Sequence, residues 1–284
     1  MIQTGCSPAR ENSTSGTDEA PVSLGLYPRL LEALRGELTP KFLATRSEDG
    51  LPNVVPLTSL APSPGEPGLL HFGNFLLRKS VANLKQDPRV GVLVITPELE
   101  GWVLTGTFEG FEREGPHADA QRNANMLRYN AYTGIRNAGL VRVRSVERSF
   151  RISRPRLVRD YALAGSAGLR SRAVGGIDLP PAVRREFARL AAVKIVSWIA
   201  SDGWPRIAPA LSLQPAGHDS MVCWPDSDLR SGPEDGALVA ANVLTMEAVS
   251  YQIKGCWQRG RGVGTLVPHE VYAGGPPLPG GRIA

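Results

Sequence analysis

The sequence predicts a mainly β fold with a few helices, of the α+β class, built from two copies of one unit. The 284 residues include 31 glycines and 24 prolines, which favours many short elements joined by turns over long helices. Strand-like runs of alternating apolar residues lie between such turns. The segment DGLPNVVPLTSL at residues 49–60 also recurs as DGWPRIAPALSL at residues 202–213, which predicts an internal duplication.

The composition indicates that most of the chain folds and that it has no membrane-spanning helix. Hydrophobic residues make up 42% and charged residues 21% of the chain, and no apolar run approaches the roughly 20 residues of a membrane helix. Residues 1–22 lack the basic start and apolar centre of a secretory signal, so we expect a disordered tail and a cytoplasmic protein. The net charge of +5 is dispersed, which favours an ordinary basic surface over nucleic-acid binding.

Metal and nucleotide motifs are missing from the sequence. None of the cysteines or histidines has a partner at metal-ligand spacing, so no metal site is expected. These residues are Cys6, Cys223, Cys256, His71, His117, His218 and His269. There is no Walker loop and no GxGxxG, so a nucleoside triphosphate or a Rossmann-bound dinucleotide is not supported.

The first elements read as a helix followed by a β-hairpin. Apolar spacing over residues 30–38 predicts the helix. The strand-like run KFLATR then leads to Asp49-Gly50, a strong hairpin signal. Pro52 and Pro56 in the returning strand cannot donate ladder hydrogen bonds, which places that strand at a sheet edge or at a bulge.

A third strand and a second helix follow the hairpin. Leu77 begins an apolar stripe at helical spacing. Asn74 is expected to cap the helix N-terminus, and Pro88 lies just beyond its end. The runs RVGVLVIT and GWVLTGTFEGFE predict two more strands, with a bulge or close backbone approach at Gly106.

The middle of the chain separates the two copies. We expect a helix over residues 118–131, a half-exposed strand in GLVRVRSVERSFRIS and then an irregular connector. A new helix begins with Pro181 in its first turn. The expected division is a tail at 1–22, a first unit at 23–156, a linker at 157–178 and a second unit at 179–284.

The duplication can be followed at several ordered points. The Asp-Gly pair and both hairpin prolines recur 153 positions later. Gly106 is matched to Gly255, and the Ala-Asn pair at 82–83 to the pair at 241–242. The alternative is that Asp-Gly turns are common in β proteins and that the rest is coincidence, but agreement at several points makes duplication the simpler account.

The second helix begins with the wrong charges for its dipole. Arg78 and Lys79 fall in or just after its opening turn, where cations are disfavoured by roughly 0.3–1 kcal/mol each. A bound anion offsets this cost, because a phosphate would meet a guanidinium, an ammonium, the Ser80 hydroxyl and backbone N–H groups together. The alternative is that both basic side chains simply point to solvent.

The second copy lacks this basic pair. Glu234 and Asp235 stand in the region where the first copy has basic residues. If the first copy holds a phosphate, the second is not expected to hold one in the same way. This difference fits duplication followed by specialisation.

Taken in order, these motifs resemble the pyridoxamine 5'-phosphate oxidase-like flavoproteins, the FMN-binding split β-barrels. That family shows Asp-Gly-x-Pro, a strand ending in Pro, and Arg-Lys-x-x-x-Asn-Leu followed by Asp-Pro-Arg-Val. The matching positions here are Asp49, Gly50, Pro52, Pro56, Arg78, Lys79, Asn83, Leu84, Asp87, Pro88, Arg89 and Val90. The resemblance is good over residues 40–112, weaker to 150, and returns over residues 192–260 without the Arg-Lys pair.

The resemblance implies two tandem split β-barrels packed as an intrachain pseudo-dimer, because family members are usually homodimers with FMN between two barrels. It implies that Arg78 and Lys79 hold the FMN phosphate. It further implies that Val55, Pro56, Leu57 and Thr58 run beside the isoalloxazine ring, and that Phe72, Gly73 and Asn74 close around the ribityl phosphate. Trp257 has two interpretations: stacking at the groove from the second barrel, or core packing.

The leading functional hypothesis is an FMN-dependent oxidoreductase that moves electrons between a nicotinamide or small-molecule donor and an acceptor. In such enzymes the flavin carries the chemistry, which suits a sequence without a clustered triad or carboxylate pair. The alternative is a non-catalytic flavin, haem or deazaflavin binding protein of the same fold. A vitamin B6 substrate is not expected, because the family's fuller set of substrate-binding basic residues is missing.

The expected partners follow from this hypothesis. They are a small-molecule substrate and NAD(P)H, with no nucleic acid and no membrane, and the protein is either a homodimer or a pseudo-dimeric monomer. Tyr129, Tyr132 and Arg136 are candidates for the substrate mouth. Packing of a helix end on the barrel is the commoner role for such residues.

Overall fold

A computed structural model describes residues 22–75, 77–124, 135–169, 175–225, 229–230, 232–260, 262–274 and 280–284. The predicted disordered tail lies outside these ranges except for residue 22. Within them the strands form two seven-stranded antiparallel sheets, which confirms the mainly β class. No helix in the described part of the chain has the length and hydropathy needed to cross a membrane.

In its described residues, the first half of the chain forms the first sheet, a short 3-10 helix (Leu24–Leu26) and three α-helices. The helices are α1 (Pro28–Arg35), α2 (Arg78–Gln86) and α3 (Pro116–Arg122). The strands are β1 (Lys41–Arg46), β2 (Pro52–Pro56), β3 (Ala61–Pro62), β4 (Leu69–Gly73), β5 (Arg89–Ile95), β6 (Glu100–Glu112) and β7 (Ala138–Arg151). Their order in the sheet is β2-β1-β5-β6-β7-β4-β3.

The second half repeats this arrangement. Its helices are α4 (Arg154–Gly168) and α5 (Pro181–Phe187), and Pro181 opens α5 as predicted. Its strands are β8 (Val193–Ile199), β9 (Pro205–Pro209), β10 (Gln214–Pro215), β11 (Met221–Cys223), β12 (Leu238–Leu244), β13 (Ser250–Arg259) and β14 (Gly264–Ala273). Read from β9, the order is β9-β8-β12-β13-β14-β11-β10. Every strand occupies the place of its counterpart, which confirms two tandem split barrels.

Two glycines mark the same bulge in both sheets. Gly106 pairs with Val90 and Gly255 pairs with Val239, so both partners are displaced by the same 149 positions. The strand register shifts beside each glycine. A Cβ would lie 2.8 Å from a backbone oxygen at Gly106 and 2.0 Å from one at Gly255. The predicted bulge is therefore confirmed, and close backbone approach explains both glycines.

The correspondence expected between residues 82–83 and residues 241–242 is wrong. The first pair lies on α2, whereas the second lies in β12, the counterpart of β5. A two-residue match does not distinguish a helix from a strand. The strand order shows that the two pairs lie in elements that do not correspond.

The β1–β2 hairpin forms as predicted. Gly50 has a φ of 74°, and β2 is an edge strand of its sheet. The Leu57 N–H donates to the Lys41 carbonyl at 2.7 Å. Because hydrogen-bonded pairs alternate along an antiparallel ladder, the backbone groups of Pro52, Val54 and Pro56 point away from β1. The two prolines therefore remove no bond from the ladder.

The free side of β2 packs against the second half of the chain. β2 lies beside β12 and β13, and β5 lies beside β9. The Gln252 side-chain amide donates to the outward Val54 carbonyl. A shared apolar core joins the halves: Phe42, Ala44, Val54, Leu93, Ile95, Val103, Ile195, Ile207, Leu211, Ala240 and Leu244. The two barrels thus form their interface inside one chain.

The irregular connector predicted from residue 157 is wrong in its first part, where α4 forms. Ser153 caps the helix and its side chain accepts a backbone hydrogen bond. Ala164 packs with Ala216 and Val222, and a Cβ on Gly168 would lie 3.1 Å from the same two residues. The small residues that suggested flexibility instead let α4 approach the second sheet closely. The division of the chain at residues 156 and 179 stays a prediction.

Each half buries one lysine at the start of its first strand. Lys41 is 2% exposed and Lys194 is 0% exposed, and the two are 153 positions apart. Lys41 Nζ donates to the Gly36 carbonyl at 2.8 Å, and Lys194 Nζ donates to the Arg189 carbonyl at 3.0 Å. Gly36 and Arg189 lie just after α1 and α5. Each ammonium therefore satisfies the carbonyl end of the helix that precedes its sheet.

Burial of Lys194 should make stability increase with pH. Burial lowers the pKa of Lys194 from 10.5 to about 7, partly offset by Cys223. Below about pH 7 the lysine is charged in both states; above it the unfolded chain binds the additional proton, so rising pH favours folding by at most about 1.4 kcal/mol per unit. Lys194→Met lacks this gain. In urea unfolding, its free energy of unfolding should therefore fall progressively behind that of wild type as the pH rises from about 6 to about 9.

The exposed Lys85→Met variant is the matched control for this measurement. Its stability difference from wild type provides the baseline against which the Lys194→Met trend is read. A stability difference between Lys194→Met and wild type that stays constant with pH would contradict a buried, titrating ammonium at this position.

Candidate functional site

The basic pair opens α2 directly. The helix begins at Arg78, Leu77 occupies the cap position, and no side chain caps the helix. The predicted cap at Asn74 is therefore wrong, because the Asn74 N–H instead donates to the Asn137 carbonyl at 3.0 Å, extending the β4–β7 pairing. Lys79 is the second helical residue, and no acidic residue lies in the first turn. The free N–H groups and the cations thus lie together.

The second half of the chain contributes to this surface. Lys79 Nζ lies 3.1 Å from the centroid of the Tyr272 ring, a close cation–π contact. Lys254 Nζ lies 5.9 Å from the same centroid. Tyr272 is on β14 and Lys254 is on β13. The start of α2 in one barrel therefore faces two strands of the other.

The surroundings of Tyr272 are predominantly positive. Its hydroxyl donates to Glu270 Oε2 at 2.7 Å, and Arg282 Nη1 donates to Glu270 Oε1 at 3.0 Å. We call Lys79, Lys254, Glu270, Tyr272 and Arg282 the cationic cluster. It contains three cations and one carboxylate.

Both lysines of the cationic cluster are destabilised as cations. Burial lowers the pKa of Lys79, with Glu270 opposing and Arg282 adding to the change. Burial and then repulsion from Lys79 lower the pKa of Lys254 to about 8. A further anion at this position would favour the charged form of both lysines and so offset their desolvation and mutual repulsion.

A buried polar network holds α2 on the hairpin. The Asn53 side-chain amide donates to Ser80 Oγ at 3.2 Å and to Thr45 Oγ1 at 3.4 Å. The Asn83 amide donates to the same Thr45 oxygen at 3.0 Å. Ser80 is 1% exposed, so its hydroxyl lies in this network under the helix start, whereas Arg78 is exposed. Ser80 therefore fixes the position of the helix that carries the basic pair.

The predicted ring-contacting strand lies next to the same interface. Val55 and Pro56 are half-buried on β2, Leu57 is buried and Thr58 is exposed. The Thr58 carbonyl accepts from Lys41 Nζ at 3.3 Å. Because β2 lies beside β13, these residues and the cationic cluster border the junction of the two halves.

The residues predicted around the ribityl phosphate are placed differently from one another. Phe72 is 0% exposed and lies in the apolar core of the first half of the chain, so its side chain does not reach the surface. Gly73 ends β4, and its N–H donates to Ser59 Oγ at 3.1 Å. Asn74 follows at half-buried depth. The backbone of this segment leads from β4 toward the start of α2.

Trp257 packs in the core. It is 0% exposed and lies in the apolar core of the second half of the chain. Its position therefore agrees with core packing. Tyr272 is the aromatic residue of the second half that contacts the start of α2. Sequence reasoning missed Tyr272 and Lys254, because only the β13–β14 pairing and the packing of the two sheets bring them to that helix.

The proposed substrate-mouth residues are only partly described. Tyr129 and Tyr132 lie outside the described residues. Arg136 is exposed in the segment before β7. The helix predicted over 118–131 is described as α3, which ends at Arg122.

The corresponding positions in the second half have different chemistry. At the 153-residue displacement, Trp198 replaces Thr45 and Arg206 replaces Asn53. Arg206 forms ion pairs with Glu147 and Asp202. The polar network under α2 therefore has no equivalent at these two positions.

A cleft of about 900 Å³ lies beside these positions of the second half, between β6–β7 of the first sheet and β8–β9 of the second. Its lining includes Glu234 and Asp235, both exposed. Asp235 Oδ1 accepts the Arg259 N–H at 2.8 Å. The acidic residues noted in the sequence therefore line this cleft together with Arg148, Arg206 and Arg259.

Comparison with known families agrees with this fold and these motifs. Residues 30–151 match the family model described as pyridoxamine 5'-phosphate oxidase. The match confirms the resemblance for the part of the chain that forms the first sheet. No curated protein shows a significant match.

Several solved structures are similar to part of the chain. An FMN-binding protein from Syntrophomonas wolfei is 16% identical with a TM-score of 0.37, covering 45% of this chain and 91% of that one. HupZ from Group A Streptococcus is 18% identical with a TM-score of 0.35, covering 45% and 94%. HutZ, a haem storage protein from Vibrio cholerae, is 14% identical with a TM-score of 0.33, covering 44% and 93%.

Proposed function

We propose that this protein binds FMN at the junction of its two halves and uses it as an oxidoreductase. The observation that carries the proposal is the cationic cluster at the uncapped start of α2. Lys79 and Lys254 come from different halves, are both partly desolvated and share one carboxylate. A phosphate dianion satisfies this arrangement better than a neutral ligand does.

Different residues bind the phosphate and the ring of FMN in this proposal. Arg78, Lys79 and Lys254 bind the phosphate, while the network through Ser80 keeps α2 in place. The outward carbonyl of Pro56 on β2 gives the ring an acceptor, and the proline has no N–H to leave unsatisfied. When bound, FMN supplies the electron-transfer chemistry.

In this proposal the protein assists the flavin chemistry by placing charges around the cofactor rather than by supplying acid–base groups. Lys254 has a pKa of about 8 because of burial, so it remains substantially protonated near neutral pH and stabilises an anion beside it. The electron donor in the proposal is NAD(P)H or another small reductant, and the acceptor is a small molecule. The alternative of a flavin carrier shares the binding site and differs only in turnover.

The test is to titrate the purified protein with FMN and with riboflavin, which lacks the phosphate. We expect FMN to bind at least about 10²-fold more tightly, since charge-assisted hydrogen bonds contribute roughly 1.5–3 kcal/mol each. Lys254→Met should reduce this preference, whereas Lys85→Met should not. Flavin fluorescence and the visible spectrum report binding, and NAD(P)H consumption reports turnover.

Each outcome has a definite meaning. Equal affinity for FMN and riboflavin, or no binding of either, would exclude the proposed phosphate site. Tight FMN binding without turnover by any donor would assign the protein to the carrier alternative. A Soret band after addition of haem, with no response to FMN, would redirect the function to haem.

A further inference from the structure

Three side chains of the first half form a continuous hydrogen-bonded chain away from the cationic cluster. Ser63 Oγ lies 2.9 Å from His117 Nε2, and His117 Nδ1 lies 2.8 Å from Glu112 Oε2. Ser63 follows β3, Glu112 ends β6 and His117 is in α3. Glu112 and His117 are five positions apart, whereas Ser63 is 54 positions from His117, so the fold brings the serine to the other two.

The hydrogen-bond roles in this chain follow from Glu112. Its Oε1 accepts the backbone N–H groups of His117 at 2.9 Å and Ala118 at 3.1 Å. Although burial opposes it, hydrogen bonding from His117 and Ala118 leaves the pKa of Glu112 below its usual value. An ionised carboxylate accepts the proton on His117 Nδ1, so in the neutral imidazole Nε2 is the acceptor and the Ser63 hydroxyl donates to it.

The neighbouring imidazole does not compete for the proton. The His71 and His117 ring centroids are 5.3 Å apart. Burial and then the proximity of His117 lower the pKa of His71 to about 4, and the Gln121 amide contacts its Nδ1 at 2.9 Å. His71 is therefore neutral near pH 7 and adds no positive charge beside His117.

The second half shows that this loop does not require a hydroxyl for folding. Ala216 stands 153 positions after Ser63, in the corresponding place after β10. The Ser63 N–H donates to the Leu69 carbonyl and the Ala216 N–H to the Ser220 carbonyl, both at 2.9 Å. The bond that closes the loop thus forms with alanine as well, although the loop of the second half is two residues shorter. The hydroxyl adds a contact to His117 that this backbone bond does not need.

We propose that Ser63 and His117 act as nucleophile and general base in acyl transfer from small carboxylic esters, with Glu112 as the positioning residue. Nucleophile, base and orienting carboxylate have the connectivity that this chemistry needs. Ser63 is half-buried, residues 64–67 beside it are exposed, and a Cβ on Gly65 would meet nothing within 4 Å. The exposed loop is the side from which the proposal brings a small ester to Ser63.

The reaction balances within these groups and water. Ser63 Oγ bonds to the ester carbonyl carbon while its proton passes to His117 Nε2. The alcohol leaves as its C–O bond breaks and takes that proton, giving an acyl-serine. Water then attacks the acyl carbon through the same base, releasing the carboxylic acid and restoring the serine.

The experiment uses the full-length protein, a fluorophosphonate probe and p-nitrophenyl acetate. Wild type should be labelled at Ser63, located by peptide mass spectrometry, and should show a burst of nitrophenol. Ser63→Ala should lose both signals while keeping the thermal midpoint of wild type, as expected from Ala216. Ser166→Ala is the control, because Ser166 is an exposed serine whose hydroxyl bonds a backbone carbonyl.

Glu112→Gln separates positioning from structure. The amide oxygen can still accept the α3 N–H groups, but its NH₂ faces His117 Nδ1 and opposes the required tautomer. We expect labelling to slow by roughly 10²–10⁴-fold and its pH profile to change, with the fold intact. Labelling at Ser63 no faster than at Ser166, or an unchanged rate and pH profile in Glu112→Gln, would overturn the proposal.

Discussion

Replacing Arg78 and Lys79 together by alanine should weaken FMN binding by roughly 10²-fold or more. Each charge-assisted bond to a phosphate contributes roughly 1.5–3 kcal/mol, and Lys79 is partly shielded from water by Tyr272. The affinity for riboflavin should change little, because riboflavin has no phosphate. Fluorescence titration of both ligands, for wild type and the double variant, measures the change in the FMN-to-riboflavin preference.

The same helix offers the control for that experiment. Lys85 is exposed in the last turn of α2, far along the helix from its positive end. Lys85→Ala should retain the full preference for FMN. A preference that survives in Arg78→Ala/Lys79→Ala would place the phosphate elsewhere and leave the cationic cluster without its proposed ligand.

Replacing Trp257 by alanine should reduce the free energy of unfolding by about 3–5 kcal/mol, the usual range for deleting a large buried aromatic side chain. Trp257 is 0% exposed, and a Cβ on Gly264 would lie 2.0 Å from its ring, so the indole fills space that no other group occupies. Urea unfolding measures the loss. The half-buried Trp204 in the β8–β9 turn provides a smaller effect for comparison.

Trp257→Phe distinguishes the two interpretations of this residue. A core role predicts a partial loss of stability and an unchanged affinity of the folded protein for FMN. A variant with normal stability but weakened FMN binding would show instead that the indole stacks on the flavin, contrary to its position in the core.

Much of the fold could be predicted because its signals are local. Asp49-Gly50 and the prolines of β2 define a hairpin and an edge through backbone geometry alone. Repetition of that pattern then predicts the second barrel. The helix α4 was missed because its alanines and glycines resemble a connector until the sheet surface they pack on is known.

The candidate site was predictable only where the chain carries it in one segment. Arg78 and Lys79 are adjacent, and their conflict with the helix dipole is visible in the sequence. Lys254 and Tyr272 reach them through the packing of two sheets. Ser63 likewise meets the local pair of Glu112 and His117 only after β3 has assembled beside α3, so no spacing rule could connect the serine to them.

The replacement of Thr45 and Asn53 by Trp198 and Arg206 has a consequence for stoichiometry. In a symmetric homodimer one gene specifies both interfacial sites, so every substitution appears twice. Fusion of two diverging copies removes that constraint, and each side can then be selected separately. In the part of the chain that the structure describes, the basic pair and its polar network lie on one side only, and an FMN titration should therefore saturate at a single equivalent.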